Sequence, residues 1–175
     1  MSKSLLLLAA LSLLWLCASC HYHAGRPSGR CTVCLESVSN QTDEPALGGQ
    51  FRQAFQEALY RHPGVTLQDS DQASVSVSLR LTKLDSQSLA RAELRGKNDR
   101  EDDSNAYQVV LHRLTVDGEL LLLRNSDGKE LFRGLVRGLG DMPRQADRNI
   151  ALQAAIKQAA NDIALQVLDH IHDAE

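Results

Sequence analysis

Ala73-Ser74-Val75-Ser76-Val77-Ser78-Leu79-Arg80-Leu81-Thr82 alternates without a fault. Ala73, Val75, Val77, Leu79 and Leu81 fall on one face of an extended chain, and Ser74, Ser76, Ser78, Arg80 and Thr82 on the other. That is the period-two pattern of a strand with one face on a core and one in water. Such a strand belongs to a sheet covered on one side only, so the rest of the chain must supply the cover.

Two segments of helical period supply it. Upstream, Leu47, Phe51, Ala54, Phe55, Ala58 and Leu59 recur every three or four residues, and His62-Pro63-Gly64 stops the run. Asn40-Gln41-Thr42-Asp43-Glu44-Pro45 leads into it, with Pro45 suited to the first helical position and the acids near the positive end of the dipole. Downstream, Arg144 to His172 holds neither glycine nor proline, and Leu152, Ile156, Ala159, Ile163, Val167 and Ile171 make a second stripe. Three further strands are expected: Thr32 to Val38, Ala106 to Arg124 with a bend or bulge at Asp117-Gly118, and Lys129 to Arg137. Asn125-Ser126-Asp127-Gly128 forms the hairpin turn between the last two. The polar stretch Asp85 to Asn105 reads as a long loop. The expected order is β-α-β-β-β-α, an α+β two-layer sandwich. Its four-stranded, mostly antiparallel sheet carries both helices on one face and leaves the other to solvent or a partner.

The first twenty residues read differently. Lys3 precedes a twelve-residue apolar run, Leu5 to Leu16, and a spanning helix needs about 20 residues, so the run is the core of a secretory signal peptide. Ala18-Ser19-Cys20 puts two small residues before a cysteine, as lipoprotein processing requires, whereas Cys17 follows Trp15-Leu16. Residues 1–19 are therefore expected to be a signal peptide, Cys20 the lipid attachment site, 20–31 a lipidated tether and 32–175 a single domain. An ordinary cleaved signal is the alternative. At ~0.8 kcal/mol per buried CH₂, one acyl chain binds marginally and two or three anchor stably. His21 rather than aspartate after the cysteine favours the outer membrane.

Composition narrows the function. The chain has 175 residues, 43% hydrophobic and 4% aromatic, with a net charge of −3 that becomes −4 once Lys3 is removed. One domain fits that length. No basic excess is available to displace counterions from nucleic acid, so no nucleic-acid partner is expected. The sequence contains no nucleophile elbow, P-loop, dinucleotide fingerprint or HExxH motif, so neither catalytic residues nor a cofactor are assigned. Cys31-Thr32-Val33-Cys34 has CxxC spacing, but on a strand its cysteines point to opposite faces, and redox pairs sit at helix N-termini. His21 and His23 could complete a metal set with them. The spacing is weak support, and no metal site is assigned. His112, His170 and His172 read as surface or capping residues. Arg91, Arg95, Lys97 and Arg100, with Arg124, Lys129, Arg133 and Arg137, would make a cationic patch if the long loop and the hairpin tip shared one end of the sheet. Such a patch could hold an anionic glycolipid; a salt-bridged rim is the competing reading.

Cys20-His21-Tyr22-His23-Ala24-Gly25, then Val38-Ser39-Asn40-Gln41-Thr42-Asp43-Glu44-Pro45-Ala46-Leu47, Asp71-Gln72-Ala73, Asn105-Ala106-Tyr107 and the alanine-rich last helix appear in the order found in the lipopolysaccharide-assembly lipoprotein family LptE. The chain resembles that family over nearly its whole mature length. The resemblance implies an outer-membrane lipoprotein that plugs and helps assemble the β-barrel LptD and assists lipopolysaccharide transport. Arg91, Arg95, Lys97 and Lys129 are its positional candidates for lipopolysaccharide contact. The Cys31/Cys34 pair, the long Asp85 to Asn105 segment and the run Leu120 to Leu123 depart from the family pattern. A lipoprotein cofactor of another envelope machine, a peptidoglycan synthase or a secretion channel, is the alternative, and a periplasmic metal-binding module a third.

Overall fold

The alternating stretch is the middle strand of a sheet. The structure, a computed structural model, describes residues 31–93, 107–144 and 147–173. The elements run β1 (Cys31–Asn40), α1 (Leu47–Arg61), β2 (Val65–Leu67), β3 (Val75–Glu93), β4 (Tyr107–Arg124), β5 (Glu130–Pro143) and α2 (Arg148–Asp173). Five strands stand in the order β2-β1-β3-β4-β5, not four. β1 is parallel to both its neighbours, while β3, β4 and β5 form an antiparallel meander, so the sheet is mixed. The cause is α1, which returns the chain to the start of β1, so that β2 and β3 both leave in β1's direction. The fifth strand, Val65-Thr66-Leu67, is too short to carry a period.

Both helices cover one face, as expected. Val33, Val75, Val77, Leu79, Leu81, Leu114, Val116, Leu120, Leu122 and Val136 point into a core closed by Leu47, Phe51, Phe55 and Leu59 of α1 and by Ile156, Ile163, Val167 and Ile171 of α2. The two phenylalanines stack on each other, ring centres 6.2 Å apart. α1 starts later than its sequence suggests. Asn40 Oδ1 accepts the Thr42 N–H at 3.0 Å and the Thr42 hydroxyl at 2.8 Å, while Asn40 Nδ2 donates to the Glu44 carbonyl at 2.8 Å. This turn holds Asp43, Glu44 and Pro45 ahead of the helix, whose first turn carries no acid. At α2, Asp147 Oδ1 accepts the N–H groups of Asn149 (2.9 Å) and Ile150 (3.3 Å). A capped start at Arg148 rather than Arg144 follows.

The strands differ most where polar residues or glycines hide them. β3 continues through Asp85-Ser86-Gln87-Ser88, expected to be loop, because each residue pairs with β4 along Thr115 to His112. Ser86, Gln87 and Ser88 are exposed, so this part of the strand needs no apolar alternation. β5 continues through Gly138-Leu139-Gly140, past the end expected at Arg137. A Cβ on Gly138 would stand 2.1 Å from the Ala159 carbonyl oxygen, and one on Gly140 2.0 Å from that of Ala155. The bare backbone of β5 lets the backbone of α2 lie directly on it. The irregularity expected at Asp117-Gly118 falls on the facing strand, between Leu81 and Lys83. Cys31, assigned to the tether, opens β1.

Candidate functional site

The sheet face away from the helices is built from the polar halves of the alternating strands. Register brings opposite charges across from each other: Arg80 faces Glu119, Asp117 faces Arg137, and Arg113 faces Asp141. Arg137 grips Asp117 through Nε at 2.6 Å and Nη2 at 3.2 Å, Arg113 grips Asp141 at 2.8 and 3.1 Å, and Arg80 pairs with Glu119. The two aspartates are held below the usual carboxylate range, first by the hydrogen bond from their arginine. Ser78 Oγ adds a 3.2 Å bond to Glu36 of β1. Among these pairs sit Leu135, 79% exposed, and Leu139. The face is a charge-compensated lattice with apolar points, not a cationic surface.

The candidate basic residues separate. Val75 pairs with Arg124 at one end of the β3–β4 ladder and Glu93 with Tyr107 at the other. Lys129 lies in the β4–β5 hairpin turn beside the first end, and Arg91, paired with Val109, lies near the second. At about 3.3 Å per residue they stand roughly 50 Å apart. The shared end on which the patch depended is therefore absent, because an antiparallel meander puts successive turns at opposite ends. Within the hairpin, Arg124 lies 3.6 Å from Asp127, Arg133 2.8 Å from Glu130, and Arg137 is held by Asp117. These three belong to a salt-bridged rim. Lys129 is exposed, and its carbonyl accepts the Arg124 N–H across the turn. Cys20, Arg95 and Lys97 lie outside the described residues, as do His21 and His23.

Cys31 is buried, its sulfur 3.7 Å from Ser74 Oγ, and Cys34 is half-buried. Burial first, then the charges of Glu36 and Asp69, push the Cys34 thiol up. Among the described residues no three His, Cys, Asp or Glu side chains gather in metal-binding geometry. His170, in the last turn of α2, stacks on Phe132 at 3.7 Å.

One arrangement escaped the sequence reading. β5 is an outer strand of the sheet, and α2 closes its edge with side chains. Gln158 Oε1 accepts the Asp141 N–H at 2.8 Å, Asp162 Oδ2 that of Leu139 at 3.1 Å, and Gln166 Nε2 donates to the Arg137 carbonyl at 2.7 Å. Residues 158, 162 and 166 are four apart on one flank of the apolar stripe. That spacing was the available signal, and only a known helix–strand contact gives it meaning.

Comparison with known proteins adds the following. A family model described as LptE, lipopolysaccharide-assembly, matches residues 32–171. No curated protein matches the sequence. Among solved structures, the chain is similar to protein CT253 of Chlamydia trachomatis, with 6% identity, a TM-score of 0.53, and cover of 83% of this chain and 98% of that one. Lipoprotein GNA1162 of Neisseria meningitidis gives 10% identity, cover of 82% and 99%, and a TM-score of 0.41. The rare lipoprotein B of Shewanella oneidensis gives 15% identity, cover of 81% and 94%, and a TM-score of 0.40. The fold likeness rests on the first of these.

Proposed function

Because the chain belongs to the LptE, lipopolysaccharide-assembly, family, we propose that it is an outer-membrane lipoprotein anchored through Cys20, and that it serves as plug and assembly partner of an LptD-like β-barrel in lipopolysaccharide transport. The observation that carries this reading is the extent of the family match, which begins in β1 and ends in the last turn of α2. Two features of the fold support it. The bare sheet face, with cross-strand ion pairs that neutralise one another, suits a water-lined protein cavity better than lipid, where each unpaired charge would be costly. The β3–β4 ribbon reaches past the two-layer body and carries Arg91 toward its tip. The role is one of binding and assembly, with no catalytic residues and no cofactor. Lipopolysaccharide contact is assigned to Arg91, Arg95 and Lys97, with Lys129 of the β4–β5 hairpin as a separate candidate.

The test is co-purification of the lipidated protein from outer membranes. Recovery of a large β-barrel subunit is expected, and recovery of a peptidoglycan synthase in its place would sink the reading. Replacing Arg91, Arg95 and Lys97 together by Glu should weaken lipopolysaccharide binding more than Lys129→Glu. The reverse order would move the ligand to the β4–β5 hairpin.

A further inference from the structure

We propose that Lys83–Ser88 of β3 is a docking edge on which an extended segment of the barrel partner adds as a further strand. This rests on the assembly reading above. β1 accompanies β3 only from Val75 to Leu81, whereas β3 runs on to Glu93 with β4 on its other side. Past Leu81, among the described residues, no strand lies beside β3 on the β1 side. Alternate residues there direct their N–H and C=O groups away from β4, toward the missing neighbour.

The other boundaries of the sheet are managed; even β1 beyond Val33, which β2 no longer accompanies, is broken by an irregularity between Leu35 and Ser37 and carries the charge of Glu36. β2 is three residues long, and Gln68 N–H closes onto the Val33 carbonyl at 3.0 Å just past its end. β5 is closed by Gln158, Asp162 and Gln166 of α2. Lys83 to Ser88 lacks such a cover among the described residues and is regular. Its six residues pair in unbroken register from Lys83↔Asp117 to Ser88↔His112, with register shifts immediately outside at both ends. That is a straight edge of about 20 Å. Sheet edges are usually guarded by an isolated charge or a proline. Here there is no proline, and the only charges, Lys83 and Asp85, lie 4.0 Å apart and offset each other.

The occupant follows from the same residues. Main-chain groups on an open edge are met by an extended polypeptide, and alternate side chains set its register. Lys83, Asp85 and Gln87 share one face, Gln87 Nε2 donating to Asp85 at 2.9 Å. The incoming strand should therefore carry an acid across from Lys83 and a base across from Asp85. A second copy of this chain fits worse. Antiparallel self-pairing that clears β1 centres on Gln87 and would have to run through the register shifts between Ser88 and Arg91, which interrupt the ladder. Pairing nearer the body would drive the second ribbon into β1.

The test uses the full-length, lipidated protein co-expressed with its barrel. A benzophenone side chain at Gln87 is expected to crosslink to one short segment of the barrel. Ser86→Pro and Gln87→Pro provide the main-chain test. Adjacent residues aim their N–H groups to opposite sides, so one proline breaks the β4 ladder and the other faces the open edge and leaves the fold intact. Circular dichroism and melting identify the fold-retaining variant, which is expected to lose the crosslink, introduced at Lys83 for this comparison, and to recover less barrel. Barrel and crosslink undiminished in that variant, or a crosslink to a second copy, would overturn the proposal alone. Absence of barrel from the wild-type preparation overturns the assembly reading and this proposal together.

Discussion

Gly140→Ala tests the packing of β5 against α2 most directly. The added methyl would stand 2.0 Å from the Ala155 carbonyl oxygen, 2.6 Å from its carbonyl carbon and 2.7 Å from its Cα. All three are helix backbone, so no side chain can swing aside. To restore ordinary contact the helix must retreat by at least about 1 Å, and overpacking of this kind costs about 1–3 kcal/mol. The retreat also stretches the 2.8 Å bond from Asp141 N–H to Gln158 and the 3.1 Å bond from Leu139 N–H to Asp162, each worth about 1 kcal/mol net. A total of about 3–5 kcal/mol is a large share of the ~5–15 kcal/mol that holds a domain folded. For a domain of this size it lowers Tm by roughly 10 °C. The assay is urea and thermal unfolding followed by far-ultraviolet circular dichroism. Gly49→Ala is the control: nothing lies within 4 Å of its added methyl, and in α1 the change should stabilise by about 0.5–1 kcal/mol. A Gly140→Ala protein within about 0.5 kcal/mol of the parent, inside the range of ordinary surface changes, would refute the close approach.

Three other outcomes are expected. The depressed pKa values of Asp117 and Asp141 mean that their stabilisation is fully present above the ordinary carboxylate value of 3.8 and is lost as pH falls through the lower folded values; Arg137→Gln with Arg113→Gln should shallow that acid limb in a pH series of melts, and an unchanged limb would mean the pairs contribute nothing. Replacing Gln158, Asp162 and Gln166 together by Ala should open the β5 edge and raise aggregation on heating, seen by light scattering, whereas equal scattering would assign no protective role to the ladder. In the native protein at neutral pH, Cys34, its thiol pushed up by burial, and the more deeply buried Cys31 should both react slowly with a thiol reagent and rapidly in urea; fast native labelling would contradict the burial.

The alternation at Ala73 to Thr82 and the two apolar stripes were sufficient to place one sheet face against two helices, because burial leaves a period in the sequence wherever a strand or helix has a wet side and a dry side. The family resemblance was legible too, in short motifs whose order along the chain mattered more than any one of them. Where burial imposed no pattern, the reading fell short. Asp85 to Ser88 is strand through main-chain pairing with β4, which side-chain polarity does not report. Gly138 and Gly140 lie past the expected strand end, yet mark a close approach of β5 to the backbone of α2.

Strand direction and the fate of the charges were decided only in three dimensions. Nothing local in Cys31–Asn40 says that both neighbours run parallel to it. That follows from α1, which carries the chain back to the end of the sheet where β1 begins. Likewise, the basic residues of the hairpin read as a possible anion site until the register set Arg137 against Asp117 and Arg133 beside Glu130, and put Lys129 at the opposite end of the sheet from Arg91. The sequence by itself determined which face of the alternating strand and of each helix is buried, since a wet side and a dry side leave a period in the residues, whereas Leu135 is apolar and yet 79% exposed. Tertiary structure alone decided which charges meet and which strand edge has no neighbour among the described residues, since both depend on strands that lie far apart in the chain.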